Sequence, residues 1–300
     1  MNDLNNLKKI REMYETGVNL IEYFKNQGYQ GDKLTEAVMI SYDIQAGTYT
    51  QNDRKKPEVR NKYTDALANV LNQLGNFHSI IEAGVGEATT LTKLLPKLKQ
   101  PDYTAYGFDI SWSRIKYAQA NCKSKSLDQV KLFTGDIFSI PIQNDAIDIV
   151  YTLHSLEPNG GREKAALEEL YRITGNYLVL LEPIYEWASK EGQARIDKMG
   201  YVKNLEETIR ALGYNVVESR PLEYSGNPLN PTGLIVIEKQ KDSSKKIENP
   251  FACPVTKHVV TDMQDCLFSQ NSLLAYPIIS GIPCLLSQNA VVATHYLDAQ

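Results

Sequence analysis

The sequence predicts an α/β fold: a doubly wound, mostly parallel sheet with helices before it and a small β-rich part after it. Two observations predict this fold. Between residues 78 and 239, seven short apolar runs alternate with helical patterns, which is typical of parallel strands buried on both faces. The last two runs have no helical pattern between them, so we expect an antiparallel pair at one edge of the sheet.

Helical patterns fill the segment before the first strand. Residues 3–27 carry apolar residues at helical spacing and predict one continuous amphipathic helix. A second helix is expected to start at the N-cap Asp32, and a third at Pro57, a residue suited to the first turn of a helix. The stretch QAGTYTQNDRKK between these two helices predicts a loop. We expect residues 1–65 to form a helical cap.

The strands and the helices between them are read from the apolar pattern. In chain order the strands are HSIIEA, YTAYGFDI, VKLFTG, AIDIVYTL, NYLVLLEP, YNVVES and LIVIEK, and the intervening helices include TLTKLLPKL, SWSRIKYAQANC and REKAALEELYRI. Right-handed crossovers place such helices on both faces of the sheet. A polar stretch without pattern then predicts a linker. We therefore assign a core domain to residues 66–240, a linker to 241–249 and a small domain of short strands to 250–300.

The composition limits the partners and the compartment. The chain has 300 residues, of which 23% are charged and 42% hydrophobic, and a net charge of −4, which argues against nucleic acid or an anionic membrane as partner. The start lacks the apolar core of a signal peptide, and the late apolar stretch LLAYPIISGIPCLL is too short to span a bilayer. The four scattered cysteines form no C-x-x-C pair. They are typical of reduced thiols, so we expect a cytoplasmic protein.

Three acidic residues follow three successive strands. Glu82 ends the first strand, ahead of Gly84 and Gly86, where a turn leads into a helix; Asp109 ends the second, and Asp136 follows the third. Glycines let a backbone approach a ligand closely, and a helix N-terminus presents free N–H groups. A carboxylate in the position of Asp109 suits a ribose diol, and Asp136 is placed to accept a hydrogen bond from an exocyclic amine. Because ligands bind at the carboxyl ends of parallel strands, these acids predict a nucleoside-sized pocket.

The glycine motif indicates which nucleoside this pocket binds. A dinucleotide fingerprint needs glycine at position 89, where this chain has Thr89. A pyrophosphate would also lie poorly beside the Glu82 carboxylate, whereas a ligand with an ammonium group suits it. The segment EAGVGEA (82–88), followed in order by the two later acids, resembles the class I S-adenosylmethionine-dependent methyltransferases over roughly residues 60–240.

This resemblance implies a seven-stranded Rossmann-like methyltransferase sheet, S-adenosylmethionine as the cofactor and S-adenosylhomocysteine as its product. It implies that Glu82 and the glycines hold the methionine part, Asp109 the ribose, and Asp136 with the Ile137 amide the adenine. The segment SYDIQAGTY resembles one that carries a tyrosine over the cofactor. The cofactor-binding residues expected from the resemblance are Tyr42, Tyr49, Glu82, Ala83, Gly84, Gly86, Asp109, Ile110, Asp136, Ile137 and His154. The one departure, Ala88 at the third glycine position, is a frequent variant.

Methyl transfer needs little from the protein, since a sulfonium is a strong electrophile and the reaction requires mainly alignment and a dry pocket. If a base is needed, His154 is the first candidate for the catalytic role, followed by Glu157 and Glu182. Structural alternatives stay open: a backbone hydrogen bond for His154, a helix N-cap for Glu182, and half-buried loop aromatics for Tyr42 and Tyr49. The helical cap and the inserted EPIYEWASKEGQARIDKMGY are expected to shape the acceptor pocket.

The C-terminal segment resembles the small zinc-ribbon family of methyltransferase activators. The matching elements are Cys253-Pro254, LAYPI and GIPCLL. The positions that carry zinc in that family read Cys253-x-x-Thr256 and Ser269-x-x-Ser272 here, so three of four thiolates are absent and we expect no metal there. We expect this segment to cover an apolar face or sheet edge of the core. The alternative is a rebuilt metal site formed by Cys253, His258, Cys266 and Cys284.

The leading interpretation is methyl transfer from S-adenosylmethionine to an oxygen or nitrogen atom of a small-molecule acceptor, such as a sugar or another biosynthetic intermediate. The motif style HSLEPNGGRE…ELYRIT…LLEP resembles methyltransferases of biosynthetic clusters. One alternative is a tRNA, rRNA or translation-protein methyltransferase, although HSLEPN replaces the tetrapeptide usual in enzymes that methylate amino groups. A non-catalytic methyltransferase-fold scaffold and a polyamine synthase are further alternatives. The oligomeric state stays open, a homodimer included.

Overall fold

The computed structural model describes residues 6–100, 102–239 and 247–298. The predicted linker at 241–249 therefore lies mostly outside the described residues, as does the side chain of Asp32. A seven-stranded sheet forms the centre of the chain, in the spatial order β3-β2-β1-β4-β5-β7-β6. Its strands are β1 (Ser79–Ala83), β2 (Thr104–Asp109), β3 (Lys131–Thr134), β4 (Ile147–Leu153), β5 (Thr174–Pro183), β6 (Asn215–Pro221) and β7 (Thr232–Glu238).

The pairing of these strands confirms the predicted doubly wound, mostly parallel sheet. The strands β1 to β5 are parallel to one another, whereas β7 runs antiparallel to both β5 and β6. The antiparallel pair expected at one edge is therefore present, with β7 inserted between β5 and β6. The helices that follow strands are α6 (Leu91–Leu94), α7 (Trp112–Ser124), α8 (Glu163–Ile173), α9 (Lys190–Met199) and α10 (Leu205–Ala211).

Five helices precede the sheet, and two sequence predictions for them are wrong. They are α1 (Leu7–Glu15), α2 (Leu20–Asn26), α3 (Asp32–Ile44), α4 (Thr48–Lys55) and α5 (Pro57–Leu71). The continuous helix predicted for residues 3–27 is broken, because Gly17 adopts a φ of 91° and the Asn19 side chain caps a new helix by accepting from the Glu22 N–H. The predicted loop contains α4, whose N-terminal N–H groups are satisfied by a carboxylate far away in the sequence, Glu87.

The alternation of side chains along each strand produces two apolar layers. Ile81 and Val150 lie in the layer shared with α8 and α10, whereas Ile80 and Ile149 lie in the layer shared with α5 and α7. Covering both faces makes the strands nearly fully buried, which explains their continuous apolar sequence. None of the helices in the described parts of the chain is long and apolar enough to cross a bilayer.

The C-terminal module, residues 250–298, is a small antiparallel sheet. Its strands are β8 (Thr261–Asp262), β9 (Cys266–Ser269), β10 (Leu274–Ile279), β11 (Ile282–Pro283) and β12 (Val291–Val292). The module packs on the core domain through Phe251, whose ring centroid lies 5.2 Å from that of Phe133 and 6.1 Å from that of Tyr106. Its Leu285 N–H donates to the carbonyl of Thr134 at the end of β3, at 3.2 Å. The module thus covers an apolar face and a sheet edge, as expected from the sequence.

The four positions proposed for a rebuilt metal site do not come together. The Cys253 thiol is fully buried and lies 3.2 Å from the Tyr276 hydroxyl and 3.5 Å from that of Ser272, while Cys266 lies 3.5 Å from the Tyr296 hydroxyl. Among the described residues, no group of three or more His, Cys, Asp or Glu side chains could hold a metal ion. Burial alone would raise the pKa of the Cys253 thiol, but hydrogen bonds from Thr256, Tyr276 and Ser272 lower it to about 6.

Replacing Phe251 tests whether the module is part of the main core. We expect Phe251→Ala to lower the free energy of unfolding by about 2–4 kcal/mol, because it empties the space between the module and the Phe133 ring. Val291, which is 57% exposed in the same module, provides the control: Val291→Ala should change stability by less than about 0.5 kcal/mol. Urea denaturation measures both. Equal effects of the two substitutions would contradict this packing.

Candidate functional site

A cavity of about 350 Å³ lies at the carboxyl ends of β1, β2 and β4 and under the N-terminal helices α3 and α4. Every cofactor-binding residue predicted from the sequence lines it except Ala83, which is fully buried in β1. Of the three candidate catalytic residues, His154 and Glu157 line the cavity and Glu182 does not. The lining residues that were predicted are Tyr42, Tyr49, Glu82, Gly84, Gly86, Asp109, Ile110, Asp136, Ile137, His154 and Glu157.

The backbone geometry of the turn after β1 requires glycine. Gly84 has a φ of 74°, and a β carbon there would stand 2.3 Å from Cβ of Ser155 in the loop after β4. Gly86 has a φ of 53°, and its N–H donates to Oδ2 of Asp109 at 3.0 Å. Ala88, at the third glycine position of the motif, also has a positive φ of 56°. The motif therefore serves a tight turn that brings the ends of β1, β2 and β4 into contact.

Asp109 at the end of β2 links two turns. Its Oδ1 accepts the N–H of Ser111 at 2.9 Å while Oδ2 accepts the N–H of Gly86. Each oxygen keeps a second lone pair, so the carboxylate is able to accept two more hydrogen bonds from a diol. Burial raises the pKa of Asp109, and the Arg114 guanidinium opposes this shift by favouring the charged form.

Glu82 at the end of β1 is a buried carboxyl group, 3% exposed. Burial raises its pKa to about 8, against the hydrogen bond from the Tyr151 hydroxyl at 2.9 Å and the charge of Arg60. Arg60 projects from α5 and lines the same cavity. The sequence analysis did not select Arg60, because nothing in the pattern of α5 distinguishes it from the other polar residues of that helix. Glu82 and Arg60 together offer one acidic and one basic group at this end of the cavity.

His154 and Glu157 follow β4. The His154 Nε2 lies 2.8 Å from the Thr232 hydroxyl, and its Nδ1 lies 3.8 Å from Oε2 of Glu157. Burial and the charge of Arg60 lower the pKa of His154 to about 3, so its imidazole is neutral at physiological pH. Burial raises the pKa of Glu157, whose Oε1 accepts a hydrogen bond from Nδ2 of Asn230 at 2.9 Å. Glu157 is thus the stronger base of this pair.

Glu182 has a structural role, in contrast to its selection as a catalytic candidate. Its carboxylate accepts the N–H groups of Ser155, Leu156 and Glu157 at 3.0, 3.2 and 3.3 Å. Burial raises its pKa to about 7, against hydrogen bonds from Thr152 and this loop. Glu182 therefore lies beneath the loop after β4 and fixes the backbone that carries His154 and Glu157; it belongs to β5 and is not the helix N-cap that the sequence offered as an alternative.

Residues that follow β3 form another part of the cavity wall. Asp136 and Ile137 line it, and Oδ1 of Asp136 accepts the N–H of Phe138 at 2.9 Å. This bond turns the chain so that the carboxylate and the Ile137 backbone lie on the cavity side of the loop. Ile110, after β2, lines the cavity as well.

The helices α3 and α4 form the roof of the cavity. Two acids attach this roof to the core domain, and neither was selected from the sequence. Glu87 accepts the N–H groups of Gly47, Tyr49 and Thr50 at 2.8, 3.2 and 2.7 Å, at the start of α4. Asp43 at the end of α3 accepts the Ser113 N–H at 2.9 Å, in the first turn of α7. Both bonds place carboxylates at helix N-termini, where they are favoured by the helix dipole. Glu87 lies inside the glycine motif itself, so the roof is joined directly to the turn after β1.

Comparison with known proteins supports the fold. Residues 80–176 match a methyltransferase domain. This segment runs from β1 into β5 and contains the glycine turn, Asp109, Asp136 and His154. The predicted Rossmann-like methyltransferase fold is confirmed, and S-adenosylmethionine, the predicted cofactor, is the ligand of this domain family. No curated protein matches the chain.

Several solved structures are similar to this chain. They include magnesium protoporphyrin IX methyltransferase from Synechocystis PCC 6803 with bound S-adenosylhomocysteine (17% identity, 60% of this chain and 83% of that chain, TM-score 0.48). A S-adenosylmethionine-dependent methyltransferase from Aquifex aeolicus is 18% identical over 57% of this chain and 87% of its own, with a TM-score of 0.45. Geranyl diphosphate methyltransferase, in complex with geranyl diphosphate and sinefungin, is 12% identical over 58% and 77%, with a TM-score of 0.46.

The contact between the two turns predicts the effect of a methyl group at Gly84. Gly84→Ala should lower the free energy of unfolding by about 2 kcal/mol more than Gly75→Ala, since only the first creates a collision with Ser155. Gly75 is the matched control: its φ is 84°, with open space around it, so alanine there adds only the backbone strain of about 1–2 kcal/mol. Urea denaturation of both variants compares them. Losses of equal size would contradict the proposed contact.

Proposed function

We propose that this protein transfers a methyl group from S-adenosylmethionine to an oxygen or nitrogen atom of a small-molecule acceptor, such as a sugar or another biosynthetic intermediate. The observation that carries the proposal is the presence of Glu82, Asp109 and Asp136 around one cavity, at the ends of three neighbouring strands. A glycine turn with backbone N–H groups borders the same cavity. A nucleoside that also carries an ammonium and a carboxylate group fits this set of donors and acceptors.

The residues are assigned to the cofactor by their chemistry. Glu82 binds the ammonium of the methionine part and Arg60 its carboxylate, because both line the same end of the cavity. Asp109 accepts the ribose hydroxyls. Asp136 and the Ile137 N–H bind the adenine. The backbone of Ala83, Gly84 and Gly86 forms the floor beneath the methionine part, while Ile110, Tyr42 and Tyr49 supply apolar contact and exclude water.

The reaction requires the acceptor to be aligned and, for a hydroxyl or protonated amine, to lose a proton. The bound cofactor supplies an electrophilic methyl group on a sulfonium. Glu157 takes the proton from the acceptor atom as that atom forms its bond to the methyl carbon and the sulfur keeps the electron pair. His154 is too weak a base for this role, since its pKa is about 3; its Nε2 is hydrogen-bonded to the Thr232 hydroxyl instead.

The acceptor side of the cavity is supported by residues from three places in the chain. Thr35 and Val38 lie on α3, Pro158 and Asn159 follow β4, and Tyr201 follows α9. The cap and the insertion after β5 thus both contribute to this side. A cavity of about 350 Å³ suits small ligands, and the net charge of −4 argues against a nucleic-acid acceptor. The four buried free cysteines support the further proposal of a cytoplasmic location.

Calorimetric titration with S-adenosylmethionine and S-adenosylhomocysteine, with NADH as control, tests the function. We expect micromolar binding of both adenosyl ligands, none of NADH, and at least tenfold weaker binding by Asp109→Ala, which loses the hydrogen bonds to the ribose. A screen with labelled cofactor then identifies the acceptor among sugars and other biosynthetic intermediates. Labelling of tRNA, rRNA or a translation protein alone would overturn the small-molecule assignment, and binding without any transfer would favour a scaffold.

The raised pKa of Glu82 predicts a pH dependence of binding. Below pH 8 the free protein holds this carboxyl group mostly protonated, whereas an ammonium ligand needs it ionised, so binding releases a proton. The affinity for S-adenosylhomocysteine should therefore rise between pH 6.0 and 7.5 by up to ~10-fold per pH unit. Titration calorimetry at several pH values measures this slope. In Glu82→Gln the slope should vanish; a variant with an unchanged slope would exclude Glu82 as the titrating group.

Glu157→Gln tests the assignment of the base. We expect kcat to fall by ~100-fold or more while the affinity for S-adenosylhomocysteine changes less than about twofold, because only proton transfer is lost. The exposed Glu207→Gln on α10 serves as control and should keep full activity. Steady-state kinetics with the acceptor found in the screen provides the measurement. A kcat within a factor of about three of the wild type would show that Glu157 is not the base.

A further inference from the structure

Arg114 is a buried cation inside the cavity wall. It lies on α7, five positions after Asp109, is 2% exposed and lines the cavity. Its Nε donates to the carbonyl of Tyr42 at 3.0 Å, whereas its buried Nη2 has no hydrogen-bond partner within the described part of the chain. An unsatisfied buried guanidinium N–H group is costly, and an acceptor atom on a ligand would remove that cost.

The position of the guanidinium indicates which part of the ligand would supply the acceptor atom. Its Nη1 lies 3.8 Å from the place a β carbon on Gly86 would occupy, and Gly86 is the residue whose N–H donates to Asp109. The charge of Arg114 also opposes the rise in the pKa of Asp109 that burial causes. Arg60, by contrast, acts on Glu82 and His154. The two cations therefore serve different parts of the cavity: Arg60 the end near Glu82, and Arg114 the part near Asp109.

Two aromatic rings fix the guanidinium in this position. Its central carbon lies 4.1 Å from the ring centroid of Tyr49 and 4.7 Å from that of Tyr42, which belong to the roof. Guanidinium groups are stabilised over aromatic faces, and stacking leaves the N–H groups in the plane available for hydrogen bonds. Because the roof is held by Glu87 and Asp43, Arg114 is positioned before any ligand enters.

We propose that Arg114 is a second ribose-binding residue: its Nη2 donates to a ribose hydroxyl oxygen whose proton is accepted by Asp109. Each oxygen of Asp109 already accepts one backbone N–H, which leaves one lone pair per oxygen for a hydroxyl proton. The hydroxyl oxygen keeps lone pairs of its own, and the unpaired Nη2 is a suitable donor to them. This inference rests on the proposed function and assigns a residue that selects the ribose over deoxyribose.

A cycle of ligand and protein changes tests it. The affinities of the wild type, Arg114→Met and Arg114→Lys are measured by calorimetry for S-adenosylhomocysteine and for its 2′-deoxy and 3′-deoxy analogues. Methionine keeps the unbranched apolar part of the side chain and removes the guanidinium, and lysine keeps the charge. Arg210→Met on α10, where the arginine side chain is 67% exposed, controls for loss of a positive charge. Thermal unfolding establishes that each variant is folded.

We expect Arg114→Met to weaken binding of S-adenosylhomocysteine by ~10- to 100-fold, the range for a hydrogen bond to a charged group. Removing one of the two ribose hydroxyls should weaken binding strongly in the wild type and much less in Arg114→Met. The loss in Arg114→Lys should be intermediate. If loss of a ribose hydroxyl weakened binding equally in the wild type and in both Arg114 variants, the inference would be overturned and Arg114 would have only a packing role. Undiminished wild-type affinity for both analogues overturns it without any variant. Failure of the wild type to bind S-adenosylhomocysteine would instead overturn the proposed function, and this inference with it.

Discussion

The loops around the cavity depend on buried carboxylates that accept backbone N–H groups. Glu182 holds the loop after β4, Asp109 joins the turns after β1 and β2, and Glu87 holds the start of α4. Loops at strand ends lack the pairing partners of a sheet, so their N–H groups need acceptors from elsewhere. A carboxylate supplies several at once, and its charge makes each bond stronger than one to a neutral oxygen. These hydrogen bonds therefore fix the backbone around a cavity that is built from several separate segments.

The use of buried carboxylates also concentrates acidic groups in an apolar interior. Burial raises the pKa of Glu82, Asp109 and Glu157, which means that ionising these groups in the free protein costs free energy. Arg60 and Arg114 offset part of it, and a cationic ligand would offset more. Local acidity and ligand charge are thus matched, in a protein whose overall charge says little about its ligand.

The sequence was sufficient to predict the features that depend on neighbouring residues in the chain. All seven strands and the acids at their ends follow from apolar runs and strand-end residues, since two buried faces impose a continuous apolar pattern. The break between α1 and α2 could have been predicted from Gly17. In contrast, α4 depends on a cap from Glu87, about 40 residues away, and the importance of Arg60 and Arg114 depends on how the roof packs. Glu182 was noticed for its strand-end position, but its role depends on which loop lies above it. Such contacts between distant segments leave no periodic signal in a single sequence.

The contact between Leu285 and Thr134 also lies at one edge of the central sheet. An unpaired outer strand is a template for intermolecular pairing and for aggregation. At one side of the central sheet, the end of β3 is already bonded to the C-terminal module. At the other side, β6 ends in a proline and carries the exposed ion pair of Glu218 and Arg220, which disfavour an added strand. The C-terminal module therefore makes the end of β3 unavailable for pairing with a strand of another molecule.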